Sequence, residues 1–186
     1  TTAKIDGMSN LRSLDLSKNS ITDFTLSGTT PLTVLDLSHN HLRNNTAENP
    51  ALSLENAGAT LTNLNLNDND GLVCLDMRHL DALQYFTATD CPQLGSVFIC
   101  APEESHNNLR DINLSNCSLA HFSPISMPKL SSLNLSNNAL MTTDEDVDPF
   151  QMGDYPKLHT LNLSGNPQVE KADVTGCPEL ESINIS

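Results

Sequence analysis

The chain has 186 residues and 20.2 kDa, with nine Lys plus Arg against 23 Asp plus Glu, a formal charge of −14 and a pI near 4.5. That balance argues against nucleic acid, which needs clustered Lys and Arg, and against binding to anionic membrane surfaces. No apolar run exceeds about five residues, whereas a membrane-spanning helix needs roughly 20. Leu (29), Asn (21) and Ser (19) are in excess, Trp is absent, and only 17% of residues are charged, against about a quarter in an average chain. Such a bias points to a periodic structure. Five Cys (74, 91, 100, 117 and 177) form an odd set without paired spacing, which excludes a complete disulfide framework and a CxxC-type zinc site. The sequence starts at Thr1 without a leader, and the expectation is a processed or trimmed product.

Taken in chain order, the first clear unit is Leu11-Arg-Ser-Leu14-Asp-Leu16-Ser-Lys-Asn19, apolar at offsets 0, 3 and 5 with Asn at offset 8. The pattern restarts at Leu32, Leu61, Leu83, Leu109, Leu130, Leu158 and Leu180, at spacings of 21, 29, 22, 26, 21, 28 and 22 residues. All 24 anchor positions are apolar, and offset 8 reads Asn19, Asn40, Asn69, Cys91, Cys117, Asn138 and Asn166. Apolar offsets 3 and 5 around polar offset 4 are the period of a short strand with one buried face. The predicted strands are 13–17, 34–38, 63–67, 85–89, 111–115, 132–136, 160–164 and 182–186. An Asn side chain carries both donors and an acceptor, so a stacked column could satisfy backbone groups inside the turns; a small, weakly polar Cys fits the same slot.

A weaker half-repeat alternates with the first, starting at Ile21, Leu42, Leu72, Leu94, Leu119, Leu140 and Val169. Ile21-Thr-Asp-Phe24-Thr-Leu26 and Leu94-Gly-Ser-Val97-Phe-Ile99 repeat the 0, 3, 5 spacing, so each coil should carry a short extended segment opposite its strand. Pro31, Pro92, Pro128, Pro156 and Pro178 at the corners disfavour helix there. Insertions fall in alternate coils, at Arg43 to Thr60, Ala101 to Asn108 and Met141 to Lys157, on the side away from the main sheet. Neither end shows the polar cap a solenoid needs, so the chain is expected to be cut from a longer array or covered.

The pattern resembles the leucine-rich repeat, L-x-x-L-x-L-x-x-N/C-x-L, and in coil length and turn chemistry it looks like the short-repeat, internalin-like proteins of bacterial surfaces. The resemblance implies the α/β leucine-rich-repeat class: a right-handed, β-rich solenoid over residues 1–186, with a parallel sheet of about eight short strands and little helix. It also implies a non-catalytic module that binds a protein or glycan, needs no cofactor, and works outside the cell or on a bacterial surface. The alternative is a structural spacer within a larger surface protein; a surface rich in Ser, Asn and Thr, poor in the aromatics and Arg that interfaces favour, speaks for it.

Other chemistry finds weaker support. The six His lie at different offsets on different coils, so no catalytic triad is implied. Asp144, Asp146 and Asp148 have the D-x-D-x-D spacing of a hard-cation loop, but Pro149 and Tyr155 stand where a calcium loop wants Gly and Glu. Cys91 and Cys117 lie about one strand spacing (~4.8 Å) apart, as reduced thiols or as a disulfide. The candidate binding patch is the outward strand face at Asn63, Asn65, Tyr85, Thr87, Asp111 and Asn113. Tyr85 is the only aromatic at an outward strand position and offers apolar area with a polar handle. Phe98, Phe150 and Tyr155 compete for that role, and Tyr85 could instead lie across its rungs to shield the small Ala88 coil.

Overall fold

The computed structural model describes residues 1–28, 30–43, 52–99, 108–122, 127–141 and 150–186. Eight three-residue strands form one sheet: β1 (Ser13–Asp15), β2 (Val34–Asp36), β3 (Asn63–Asn65), β4 (Tyr85–Thr87), β5 (Asp111–Asn113), β6 (Ser132–Asn134), β7 (Thr160–Asn162) and β8 (Ser182–Asn184). Their order in the sheet is their order in the chain. Every pair is parallel and in step, so Leu14, Leu35, Leu64, Phe86, Ile112, Leu133, Leu161 and Ile183 stand side by side. A monotonic parallel sheet built from equivalent positions is a β-solenoid, consistent with the leucine-rich-repeat type that the resemblance implies.

The strands are shorter than the five residues the pattern predicts, though the hydrogen-bond ladder is not. The offset-5 amides of Leu16, Leu37, Leu66, Ala88, Leu114, Leu135 and Leu163 each donate to the next coil's offset-4 carbonyl. The offset-7 amides from Lys18 to Gly165 likewise donate to the next coil's offset-6 carbonyl. Between these bonds the chain bends, which ends the regular strand while neighbouring coils stay paired.

Opposite the main sheet lie short parallel segments: Thr2–Asp6 with Asp23–Ser27 and Leu52–Ser53, Asn40–Arg43 with Asn69–Gly71, Cys74–Asp76 with Ser96–Phe98, and Phe150–Gln151 with Ala172–Asp173. The helical content of the described residues is one 3-10 turn, Glu55–Ala57. The described parts of the first and third insertions, including Leu52–Ser53 and Phe150–Gln151, belong to this second side, where the sequence places them.

The core is one cluster from Ile21 to Cys177, made mainly from offsets 0, 3 and 5 of both half-repeats, with Cys91, Met127, Tyr155 and Cys177 among the residues added from the turns and insertions. In the fourth coil small Ala88 sits beside large Phe86, both buried; such volume compensation keeps the interior filled. Met127 and Cys177, each three residues before the Leu that opens its coil, are buried, but Met8, at the same position before Leu11, is 50% exposed. Burial also fades at the two outer coils. Leu14 and Leu16 are half-buried, and Ile183 and Ile185 are 44% and 42% exposed, because β1 and β8 each have a sheet neighbour on one side only.

Candidate functional site

Three backbone devices fix where the outward side chains stand. First, the carboxyl or amide oxygen at offset 4 accepts the amide of offset 6: Asp15 from Ser17, Asp36 from Ser38, Asn65 from Asn67, Asn113 from Ser115, Asn134 from Ser136, Asn162 from Ser164 and Asn184 from Ser186. This is an Asx turn, by which a short polar side chain bends its own backbone. Thr87 has no such oxygen. There Asn67 of the preceding coil substitutes, its Oδ1 accepting both the Thr87 hydroxyl and the Thr89 amide.

Second, offset 7 adopts the left-handed conformation in seven coils: Lys18, His39, Asp68, Asp90, Asn116, Asn137 and Gly165, with φ between 52° and 69°. Asn and Asp tolerate it better than most residues and Gly adopts it freely. A Cβ at Gly165 would collide with the Asn137 Oδ1.

Third, the offset-8 side chain turns inward and ties two coils together. Asn69 Oδ1 accepts the Leu42 amide at 3.0 Å, while its Nδ2 donates to the carbonyls of Leu66, Asn67 and Leu37 at 2.8, 3.3 and 3.1 Å. Asn40, Asn138 and Asn166 repeat this pattern. Cys91 donates to Leu66 and Thr89, and Cys117 to Ala88 and Ser115. Both thiols are free. Their contact and burial push Cys91 far up, while the same contact draws Cys117 down. Asn19 corrects the inward expectation: it caps Leu16 and Ser17 of its own turn but is exposed, since no described coil packs on its outer side.

With the turns held this way, the outward residues of the central strands enclose a depression of about 550 Å³. Asn63, Asn65, Tyr85, Thr87, Asp111 and Asn113 all line it, so the geometry brings the six candidates together. They are not equally available. The Oδ1 atoms of Asn65 and Asn113 are committed to Asx turns, Asn65 Nδ2 donates to Asp36, and the Asn63 Oδ1 accepts from Thr62. Tyr85 is 43% exposed. It lies on the outward face, opposite the core side on which Ala88 is buried. Partial burial raises the Asp111 carboxyl above its ordinary range, with Arg110 acting weakly against it.

Val34, Asp36, Ser132 and Asn134 also line the depression. Extending offsets 2 and 4 to the flanking coils would have found them, and Val34 was visible as the only aliphatic residue in that row.

The competing aromatics separate. Phe150 and Tyr155 are 4% and 1% exposed, so burial removes both as recognition residues. Phe98 is 51% exposed on the second side, with the Arg78 guanidinium 5.8 Å from its ring centre. Asp144, Asp146 and Asp148 lie outside the described residues. Among the described residues, no group of three or more His, Cys, Asp or Glu could hold a metal ion, and no helix is long and apolar enough to cross a membrane.

Comparison with family models matches residues 3–42 to one described as Leucine rich repeat and residues 108–130 to a second described as Leucine Rich Repeat. No curated protein and no solved structure matches the chain.

Proposed function

We propose that the chain is a non-catalytic recognition module that binds a protein partner on the outward face of β3 to β6. The observation that carries this reading is the depression itself, a shaped recess on a rigid sheet, lined by Tyr85 and a set of polar groups. The leucine-rich-repeat matches support it, because such repeats generally mediate protein binding. Tyr85 supplies apolar contact at low conformational cost. Around it, the Nδ2 groups of Asn63, Asn113 and Asn134 have no acceptor among the described residues and can donate to a partner's carbonyls. A glycan is the second ligand class such a face could take.

The likeness to short-repeat proteins of bacterial surfaces, and with it an extracellular or cell-surface location, is part of the same proposal. It rests on coils of 21 to 29 residues with extended segments instead of helices on the second side.

The test is a peptide-display selection on the immobilised chain, repeated on Ser132→Trp. Ser132 lines the depression and is half-buried, so a bulky ring there should obstruct the face. Selected peptides should bind the parent chain and lose at least about tenfold affinity on the variant, as when a central contact is blocked. Peptides that bind both equally would place recognition elsewhere, and a failure to select any would favour the spacer.

A further inference from the structure

Three carboxylates stand on the outward strand face: Asp15, Asp36 and Asp111. Two of them are occupied within the fold. Asp15 accepts the Ser17 amide; Asp36 accepts the Ser38 amide and hydroxyl on one oxygen and Asn65 Nδ2 on the other. Asp111 differs. Its carboxylate has no hydrogen-bond donor and no ion pair among the described residues, although it is partly buried and lines the depression. Its cross-strand neighbour is Tyr85, whose ring is exposed and whose hydroxyl likewise has no described partner. Directly opposed residues on adjacent parallel strands lie about 4.8 Å apart, so carboxylate and ring fall within reach of one incoming group. Among the described residues, no Lys or Arg lines the recess.

We infer that the Tyr85–Asp111 step is a seat for a cationic side chain, so that the partner presents Arg or Lys from a basic segment. This inference rests on the binding face proposed above and specifies its occupant. A guanidinium can lie on the Tyr85 ring and direct N–H groups at the Asp111 oxygens, combining cation–π attraction with a charge-assisted hydrogen bond. The other ligand classes fit less well. A neutral partner covering Asp111 would strip water from an ionised carboxylate and return no charge, which is costly. An anionic one would add repulsion from Asp36, Asp111 and a chain of net charge −14. That long-range field would also speed the approach of a basic segment.

The experiment is isothermal titration at 0.15 M salt with three probes: a hexa-arginine peptide, a neutral Gly-Ser hexapeptide and maltohexaose. Parent chain, Asp111→Asn, Tyr85→Ala, Ser132→Trp and Glu170→Gln are compared. Glu170→Gln removes the same charge from an exposed site in another coil, and cooperative melting of Asp111→Asn and Tyr85→Ala, with midpoints no lower than the parent's, confirms folding. The arginine probe should bind at least about tenfold more tightly than the neutral probes. Asp111→Asn and Tyr85→Ala should each cost about fivefold or more, against less than about twofold for Glu170→Gln. Equal losses for Asp111→Asn and Glu170→Gln would overturn the seat, since only net charge would then matter. If Ser132→Trp blocks a neutral probe while Asp111→Asn changes nothing, the cationic seat fails and the binding face stands. If Ser132→Trp leaves every probe's affinity unchanged, the face itself fails.

Discussion

A single Asn at offset 8 serves four backbone groups, and that multiplicity sets what its loss should cost. In Asn138→Ala the carbonyls of Leu114, Leu135 and Ser136 lose a donor and the Leu119 amide loses its acceptor, all in a buried setting. Buried polar groups left without partners cost about 1–3 kcal/mol each at most, and some will relax. Urea unfolding should therefore show Asn138→Ala losing about 2–4 kcal/mol, while exposed Asn19→Ala loses under about 1 kcal/mol because water replaces the amide. Similar losses for the two would mean that burial does not govern the ladder. Asp111 gives a residue-scale prediction of opposite sign. Burial raises its pKa in the folded state, so its stabilising contribution is present below the unfolded value, near 3.9, and is lost as pH rises through the folded value. At pH 7 the ionised group is a net cost of folding. Asp111→Asn should melt at a higher temperature than the parent at pH 7, with the gap closing by about pH 3. A lower midpoint at pH 7 would show that the carboxylate has a stabilising partner.

At the scale of the element, a three-residue strand is too short to persist alone, and its place is set by one side chain between two outward ones. In β6, Leu133 is 1% exposed while Ser132 and Asn134 face the depression. Leu133→Ala removes buried methyl groups and leaves a cavity bounded by the neighbouring coils, which should cost about 2–5 kcal/mol. Ser132→Ala should change stability by less than about 0.5 kcal/mol. Denaturant midpoints for the pair test the facing directly, and equal losses would contradict it. The turn that ends each strand combines an Asx bond at offset 4 with a left-handed residue at offset 7. The sequence shows the first as an Asp or Asn column broken at Thr87. It shows the second less clearly, because that column also holds Lys18 and His39 beside the Asn, Asp and Gly that most plainly mark a left-handed turn. At those two positions the inter-coil bonds to Ser38 and Asn67 hold the backbone in place.

Across the whole molecule, each coil touches its neighbours alone, so stability adds along the stack instead of concentrating in one centre. Central coils are covered on both sides; β1 and β8 are each covered on one. Hydrogen exchange should follow that difference. The amides of Leu66, Ala88 and Leu114, bonded to the next coil in the middle of the array, should be protected by at least about 2 kcal/mol more than those of Leu16 and Leu163 at its flanks. Uniform protection from first coil to last would indicate a single cooperative unit. The same arrangement serves recognition: a sheet locked by ladder, turn and core can hold Tyr85 and Asp111 at a fixed separation without ordering them on binding.

Periodicity alone determined the eight strand positions, their parallel order and the inward offsets, because a repeated spacing allows one stacking that buries every Leu column together. It also indicated Tyr85 and its neighbours, since an aromatic in a row of Ser, Thr, Asn and Asp is visible as an exception. Which polar groups on that face are free was decided only in three dimensions. Asp36 and Asp111 read alike in sequence, yet one is saturated by Ser38 and Asn65 while the other has no hydrogen-bond donor among the described residues. Phe150 and Tyr155 read as exposed insertion aromatics, yet they are buried, because the segment around them pairs with Ala172–Asp173 on the second side. Asn19 has the ladder residue without the ladder, since its burial depends on a neighbouring coil. A repeat specifies what each coil offers; the neighbouring coil determines which side chains are covered and which polar groups remain unpaired.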